Sequence, residues 1–242
     1  SLDVPNFPYT FATNHWLFFK EHNKSKLFIK PTKRVEFIDP VSLVFENNGN
    51  KGTIIIDSSI IKEQKIYNVP PKGLDEFIGG QVLSMGRGLM LHSSGLKTKE
   101  GLGLLFVGTS GDGKSTSGRL WQEAGFATSL GDERIAIRKR KGAYWLYNTA
   151  WHGIDQITLP EIAPLKHLFI IHHADKNEAR ILRPSEAVAK LLPKAPLPYW
   201  DREGIDFSLR FLEDLAQSIP CYSFGFTPDH RSVEYIRCLI SK

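Results

Sequence analysis

The stretch that most constrains the fold is residues 103–120, which read GLLFVGTSGDGKSTSGRL. An apolar run at 104–107 leads into residues 108–115, which fit the pattern G-x-x-x-x-G-K-[S/T]. Between a strand and a helix, this pattern is that of a phosphate-binding loop. An ordinary glycine-rich turn is the alternative. The strand pattern before the loop and the helix pattern after it favour nucleotide binding.

Each residue type in this loop has a physical reason to hold phosphate. Glycines let the backbone turn so that successive N–H groups point at phosphate oxygens. Lys114 would reach the β- and γ-phosphates, the Ser115 hydroxyl would ligate Mg²⁺, and the following helix would direct its N-terminal positive charge at the same anion. We therefore expect ATP and Mg²⁺ as cofactors, bound by the following residues: Gly108, Thr109, Ser110, Gly111, Asp112, Gly113, Lys114, Ser115 and Thr116.

Composition excludes several classes of protein. The 242 residues, 41% of them apolar, suit one large α/β unit with a sizeable core. No run approaches the roughly 18 apolar residues of a membrane span, and residues 1–20 lack a signal-peptide pattern. Cys221 and Cys238 fit neither a metal spacing nor a disulfide framework, which predicts a reduced, cytoplasmic protein. The net charge is +5, but its densest cluster, residues 138–141, is typical of a solvated hairpin tip and not of a nucleic-acid surface.

The pattern along the chain divides it in two. Residues 1–87 are predicted to form a β-rich subdomain, and residues 88–242 an α/β core with the loop at its centre. A helix is expected over residues 73–91, and another opened by Ser185 as N-cap and stopped by Pro193. The remaining predicted elements are strands at 16–19, 26–29, 41–45, 53–56, 126–130, 134–137, 143–147, 166–172 and 221–226, and helices at 115–123, 207–217 and 232–240.

Titratable residues near the loop form the second signal. Asp132 and Glu133 follow a predicted strand one helix after the loop, where a Mg²⁺-binding or proton-accepting carboxylate is needed; two solvated turn acids are the alternative. His92 stands on a segment that can pair with the loop strand, although a lone histidine is more often structural. His172 and His173 point to opposite faces of a regular strand, so they cannot ligate one ion together.

These residues resemble, in their order, the catalytic core of the HPr kinase-related proteins. That order is His92, the 108–115 loop, Gly125 and then the acidic pair. Further along, a Trp-x-Gly turn at 151–153, a Pro-Ser-Glu-Ala helix start and a late Phe-Thr-Pro resemble the small HPr kinase-like proteins of bacteria. The resemblance covers roughly residues 88–242.

The resemblance implies a fold and a role for each matched residue. The fold would be the P-loop core of the HPr kinase/phosphoenolpyruvate carboxykinase type, with a mixed sheet. Asp132 would accept the proton of the substrate hydroxyl, His92 would tune its protonation, and Lys114 would hold the phosphates. Mg²⁺ would be ligated by Ser115, Asp132 and Glu133. The Glu-Ile-Arg-Gly-like signature of true HPr kinases is missing from the sequence, which argues against HPr itself as the substrate.

The sequence thus predicts an ATP- and Mg²⁺-dependent kinase acting on a hydroxyl. The partners expected are a nucleotide and a hydroxyl-bearing substrate, a small molecule or a peptide or protein serine, with neither nucleic acid nor membrane; a homo-oligomer stays open. The alternative is a nucleotide-binding regulatory module without catalysis. A carboxykinase acting on a small acid would need a second metal site, for which only His152 and Asp155 are loose candidates.

Overall fold

The computed structural model describes residues 9–12, 16–22, 24–29, 42–46, 51–55, 74–149 and 161–241. Within these ranges the chain forms a smaller antiparallel sheet, a larger mixed sheet and five α-helices. The fold is therefore mixed α/β, as the sequence predicts. The turn at 151–153, with His152, and Asp155 lie outside the described residues.

The smaller sheet has five strands in the order of the chain, all antiparallel. Side chains alternate between its faces, and one face buries Phe18, Leu27 and Phe45 against Phe77 of the first helix. The predicted strands between residues 16 and 56 are confirmed. The strands are β1 (Phe11–Ala12), β2 (Trp16–Lys20), β3 (Lys24–Ile29), β4 (Ser42–Glu46) and β5 (Gly52–Ile55).

The larger sheet has eight strands in the order β10-β9-β6-β7-β11-β13-β12, with β8 paired to β6. Strands β7, β11 and β13 are parallel, and the other pairings are antiparallel. The strands are β6 (Leu89–Thr98), β7 (Gly103–Val107), β8 (Ala127–Gly131), β9 (Arg134–Arg140), β10 (Ala143–Tyr147), β11 (Ile162–His173), β12 (Glu178–Ile181) and β13 (Cys221–Phe226).

Helices cover both faces of the larger sheet, which explains why all five residues of β7 are buried. Leu120 and Val233 join the core on one face, whereas Leu191 and Leu212 join the core on the other. Within the described residues, no helix combines the length and the apolar character needed to cross a membrane. The helices are α1 (Leu74–Ser84), α2 (Lys114–Glu123), α3 (Pro184–Leu191), α4 (Arg202–Ser218) and α5 (His230–Ile240), with a 3-10 turn at Leu192–Lys194.

Several predicted boundaries are wrong. The helix predicted from residue 207 begins at Arg202, and the strand predicted from residue 166 begins at Ile162. The helix expected over residues 73–91 ends at Ser84, and residues 89–91 already belong to β6. Gly86 and Gly88 have φ of 80° and 152°, which break the helix, and a Cβ at Gly88 would lie 2.2 Å from the carbonyl oxygen of Ile137. The N-cap of α3 is Arg183 and not Ser185, because Pro184 occupies the first helical position, where its missing N–H costs nothing.

Candidate functional site

The site is built by strand ends that meet at one edge of the larger sheet. Val107, the last residue of β7, lies opposite Ile170 of the parallel strand β11 and Ser93 of the antiparallel strand β6. The Ser93 amide also donates to the carbonyl of Glu133, at 3.2 Å. The predicted pairing of the His92 segment with the loop strand is therefore confirmed, and the acidic pair reaches the same edge as the loop.

At two positions of the 108–115 loop, the backbone has a conformation that only glycine adopts readily. Gly111 and Gly113 have φ of 92° and 96°, in the left-handed region. Gly113 is also the N-cap of α2, and a Cβ there would lie 2.6 Å from Cε1 of Phe226. Gly113, a fixed glycine of the sequence pattern, therefore serves both the turn and the close approach to β13, whereas Gly111 occupies a variable position of the pattern.

Lys114 places a cation inside this loop. The residue is only 6% exposed, and its Nζ donates to the carbonyl of Thr109 at 2.8 Å. Burial lowers the pKa of the ammonium, while the carboxylates of Glu133 and Asp112 oppose this. Since Lys114 also opens α2, whose first turn has no acidic residue, positive charge from the ammonium and from the helix terminus is concentrated at one point. An anion is the ligand that stabilises such an arrangement.

Two side chains fix the shape of the loop. The Asp112 carboxylate accepts hydrogen bonds from the amide and the hydroxyl of Thr109. Burial of Asp112 works against ionisation, but these hydrogen bonds outweigh it and lower the pKa of the carboxyl. His173, at the end of β11, has its Nε2 2.7 Å from the carbonyl oxygen of Gly111. Sequence reasoning assigned His173 no role, and the parallel neighbour β11 is what brings it to the loop.

The acidic pair and His92 lie together beside the loop. Asp132 is 3% exposed, whereas the Glu133 side chain is 41% exposed. The Nδ1 of His92 lies 3.4 Å from Oε1 of Glu133. Burial lowers the pKa of His92, the nearby charge of Lys114 lowers it further, and Glu133 opposes both. His92 is therefore biased towards its neutral form, which can exchange a proton with a neighbouring group. The catalytic and metal-binding roles assigned to these residues stay predictions.

A cleft of about 340 Å³ opens next to the loop. Arg134 follows the acidic pair at the start of β9, and Lys194 ends the 3-10 turn after α3. Neither residue stood out in the sequence, because no motif surrounds Lys194 and Arg134 reads as part of a hairpin. The cleft is lined by His92, Thr109, Ser110, Arg134, Pro193, Lys194, Ala195 and Pro196.

Metal binding by protein side chains alone has no support among the described residues, where no three histidine, cysteine or acidic residues gather to hold an ion. Mg²⁺ in phosphate sites uses one or two protein oxygens and completes its coordination with phosphate and water. The Ser115 hydroxyl and the acidic pair supply oxygens of that kind at the sheet edge that carries the loop, so the residues present fit Mg²⁺.

Neither a known family model nor any curated protein matched the chain. Among solved structures, the chain is similar to the HPr(Ser) kinase/phosphatase from Coxiella burnetii. The similarity covers 63% of this chain and 99% of that chain, with 12% sequence identity and a TM-score of 0.38. These values describe a distant fold relationship.

Proposed function

We propose that the protein is an ATP- and Mg²⁺-dependent kinase that transfers the γ-phosphoryl group to a hydroxyl. The observation that carries this proposal is the buried Lys114 ammonium at the N-terminus of α2, enclosed by a loop with two left-handed glycines. A buried cation is costly without a counter-charge, and nucleoside triphosphate supplies one of matching size. The buried Asp132 lies at the same edge of the sheet, and it favours a catalytic kinase over a nucleotide-binding module without catalysis.

Each residue of the site has its own role in phosphoryl transfer. The loop amides and Lys114 orient the β- and γ-phosphates, and a bound Mg²⁺ neutralises charge on their oxygens. Asp132 takes the proton of the attacking hydroxyl, and His92, biased towards its neutral form, lies beside the acidic pair and can exchange a proton there. Positioning and charge compensation supply most of the rate enhancement in this chemistry, so no covalent intermediate on the protein is required.

Substitution of Lys114 tests the nucleotide site. Lys114→Met keeps the aliphatic stem and removes the charge, so we expect MgATP affinity to fall about 100-fold, since hydrogen bonds to charged groups are worth about 1.5–3 kcal/mol each. Calorimetric titration measures the affinity. Lys190→Met, at an exposed position on α3, is the matched control and should bind like the wild type.

The thermal midpoint without nucleotide separates this effect from misfolding. It should not fall in Lys114→Met, because the variant removes a buried charge from a helix N-terminus. Equal MgATP affinity in Lys114→Met and wild type would overturn the nucleotide site. If the protein binds MgATP but transfers no label from ATP to pooled metabolites and peptides, the result would favour the nucleotide-binding module without catalysis.

A further inference from the structure

The cleft beside the loop is cationic on its walls. Lys194 and Arg134 line it from two different elements, and Lys114 lies behind its Thr109 wall. None of the described residues that line the cleft is a carboxylate. A wall of cations without carboxylates is complementary to an anion.

The cleft lies next to the phosphate loop and not within it. Only Thr109 and Ser110, the first variable residues of the loop, line it; residues 111–115, which lead into α2, do not. His92 lines the cleft as well, and its Nδ1 is 3.4 Å from Glu133. The cleft therefore lies beside His92 and its neighbour Glu133, where an acceptor of the proposed kinase would meet the acidic pair.

We propose that this cleft binds an anionic group, a carboxylate or a phosphate, carried by the hydroxyl acceptor, with Lys194 as its main contact. The proposal rests on the proposed kinase function and narrows its substrate class from alcohols in general to hydroxy acids and phosphorylated alcohols. In the transfer, the acceptor oxygen bonds to the γ-phosphorus and the bond from that phosphorus to the β–γ bridging oxygen breaks. ADP leaves, and the hydroxyl proton passes to Asp132.

The test separates the cleft from the nucleotide loop. The protein is first saturated with Mg²⁺ and the non-hydrolysable ATP analogue AMPPNP, which fills the loop. Inorganic phosphate, D-glycerate and glycerol are then titrated separately at constant ionic strength. We expect phosphate, D-glycerate or both to bind and glycerol not to bind; the tighter anion identifies the acceptor's group. Lys194→Gln should weaken anion binding about tenfold or more while AMPPNP affinity is unchanged, and Lys190→Gln should change neither.

Three results would overturn the proposal: no binding of either anion, equal binding of glycerol and D-glycerate, or an equal loss of anion and AMPPNP affinity in Lys194→Gln. The last would assign Lys194 to the nucleotide. Failure of AMPPNP to bind the wild-type protein is a different outcome, because it overturns the kinase function itself and the acceptor cleft with it.

Discussion

At the scale of single residues, the acidic pair presents two different environments. Asp132 is 3% exposed and Glu133 has a side chain that is 41% exposed and contacts His92. A proton acceptor and a metal ligand need different surroundings. The acceptor must be fixed beside the reacting hydroxyl in the transition state, whereas the metal ligand must reach an ion that phosphate oxygens also coordinate. Burial favours Asp132 as the acceptor, because water then competes less for its oxygens.

Asp132→Asn tests that assignment. Asparagine keeps the size of the side chain but takes no proton, so we expect MgATP affinity to be nearly unchanged and phosphoryl transfer to fall about 10²–10⁴-fold. A Mg²⁺ titration of turnover is the deciding measurement, with Glu133→Gln as the matched control. Recovery of the Asp132→Asn rate at high Mg²⁺ would make Asp132 a metal ligand and remove it from the role of base.

His92 gives a prediction about stability and pH. Burial and the charge of Lys114 lower its pKa in the folded protein, so the unfolded chain binds the proton more readily. This difference lowers the free energy of unfolding. The loss is absent above about pH 6.5, the pKa of histidine in the unfolded chain, and it grows as the pH falls from there towards the pKa of His92 in the folded protein. His167 shares this behaviour, because burial and Lys166 lower its pKa.

We therefore expect His92→Gln to lose less unfolding free energy than the wild type between about pH 7.5 and pH 5.5. Urea unfolding across that range measures the difference, and the double variant with His167→Gln should flatten the profile further. His230→Gln, whose side chain is 60% exposed, is the control. A His92→Gln profile parallel to that of the wild type contradicts the assigned environment.

At the scale of elements, the join between the loop and α2 is the most tightly determined. Gly113 combines a φ of 96° with a Cβ position 2.6 Å from Cε1 of Phe226, whereas Gly142, in the β9–β10 turn, has a φ of 78° and open space around it. At both positions a residue with a Cβ would carry the backbone cost of the left-handed conformation, about 1–2 kcal/mol. Only Gly113 adds a clash with an aromatic ring.

Gly113→Ala should therefore destabilise the protein by about 2–4 kcal/mol, and Gly142→Ala by about 1–2 kcal/mol. Unfolding in urea compares the two variants. AMPPNP affinity should fall in Gly113→Ala alone, since Phe226 or the loop has to move. Equal destabilisation of the two variants would mean that Phe226 gives way without cost, which contradicts the close packing of β13 on the loop.

The same scale shows how much the sequence could predict. Apolar runs bounded by glycine predicted β7, β8 and the β9–β10 hairpin, because those elements depend on neighbours in the chain. The 108–115 loop was predicted for the same reason. His173 and Lys194 were not, because each reaches the site through a partner distant in sequence: β11 beside β7, and the 3-10 turn beside Thr109. Local patterns do not encode those distances.

At the scale of the whole molecule, a cluster of aromatic rings joins the smaller sheet to α1 and to Trp200, which precedes α4. Phe18 and Phe45 from the smaller sheet meet Phe77 of α1, and the Trp200 ring stacks on Phe77 with centroids 4.3 Å apart. Trp200 also donates from its Nε1 to the Gln81 side chain. This ring cluster is separate from the cores on the two faces of the larger sheet.

Phe77→Ala should therefore destabilise the smaller sheet more than the larger one. Phe77 is 2% exposed, so its truncation should cost about 3–5 kcal/mol, whereas Tyr199→Ala, 59% exposed, should stay within about 0.5 kcal/mol. Hydrogen exchange should quicken in β2, β3 and β4, whose buried face rests on this ring, while β7 and β11 stay protected between two helix layers. AMPPNP affinity should persist, because the loop is held by β7, β13 and α2. Equal loss of protection in both sheets would show that the chain unfolds as one unit and would contradict the separation of the cores.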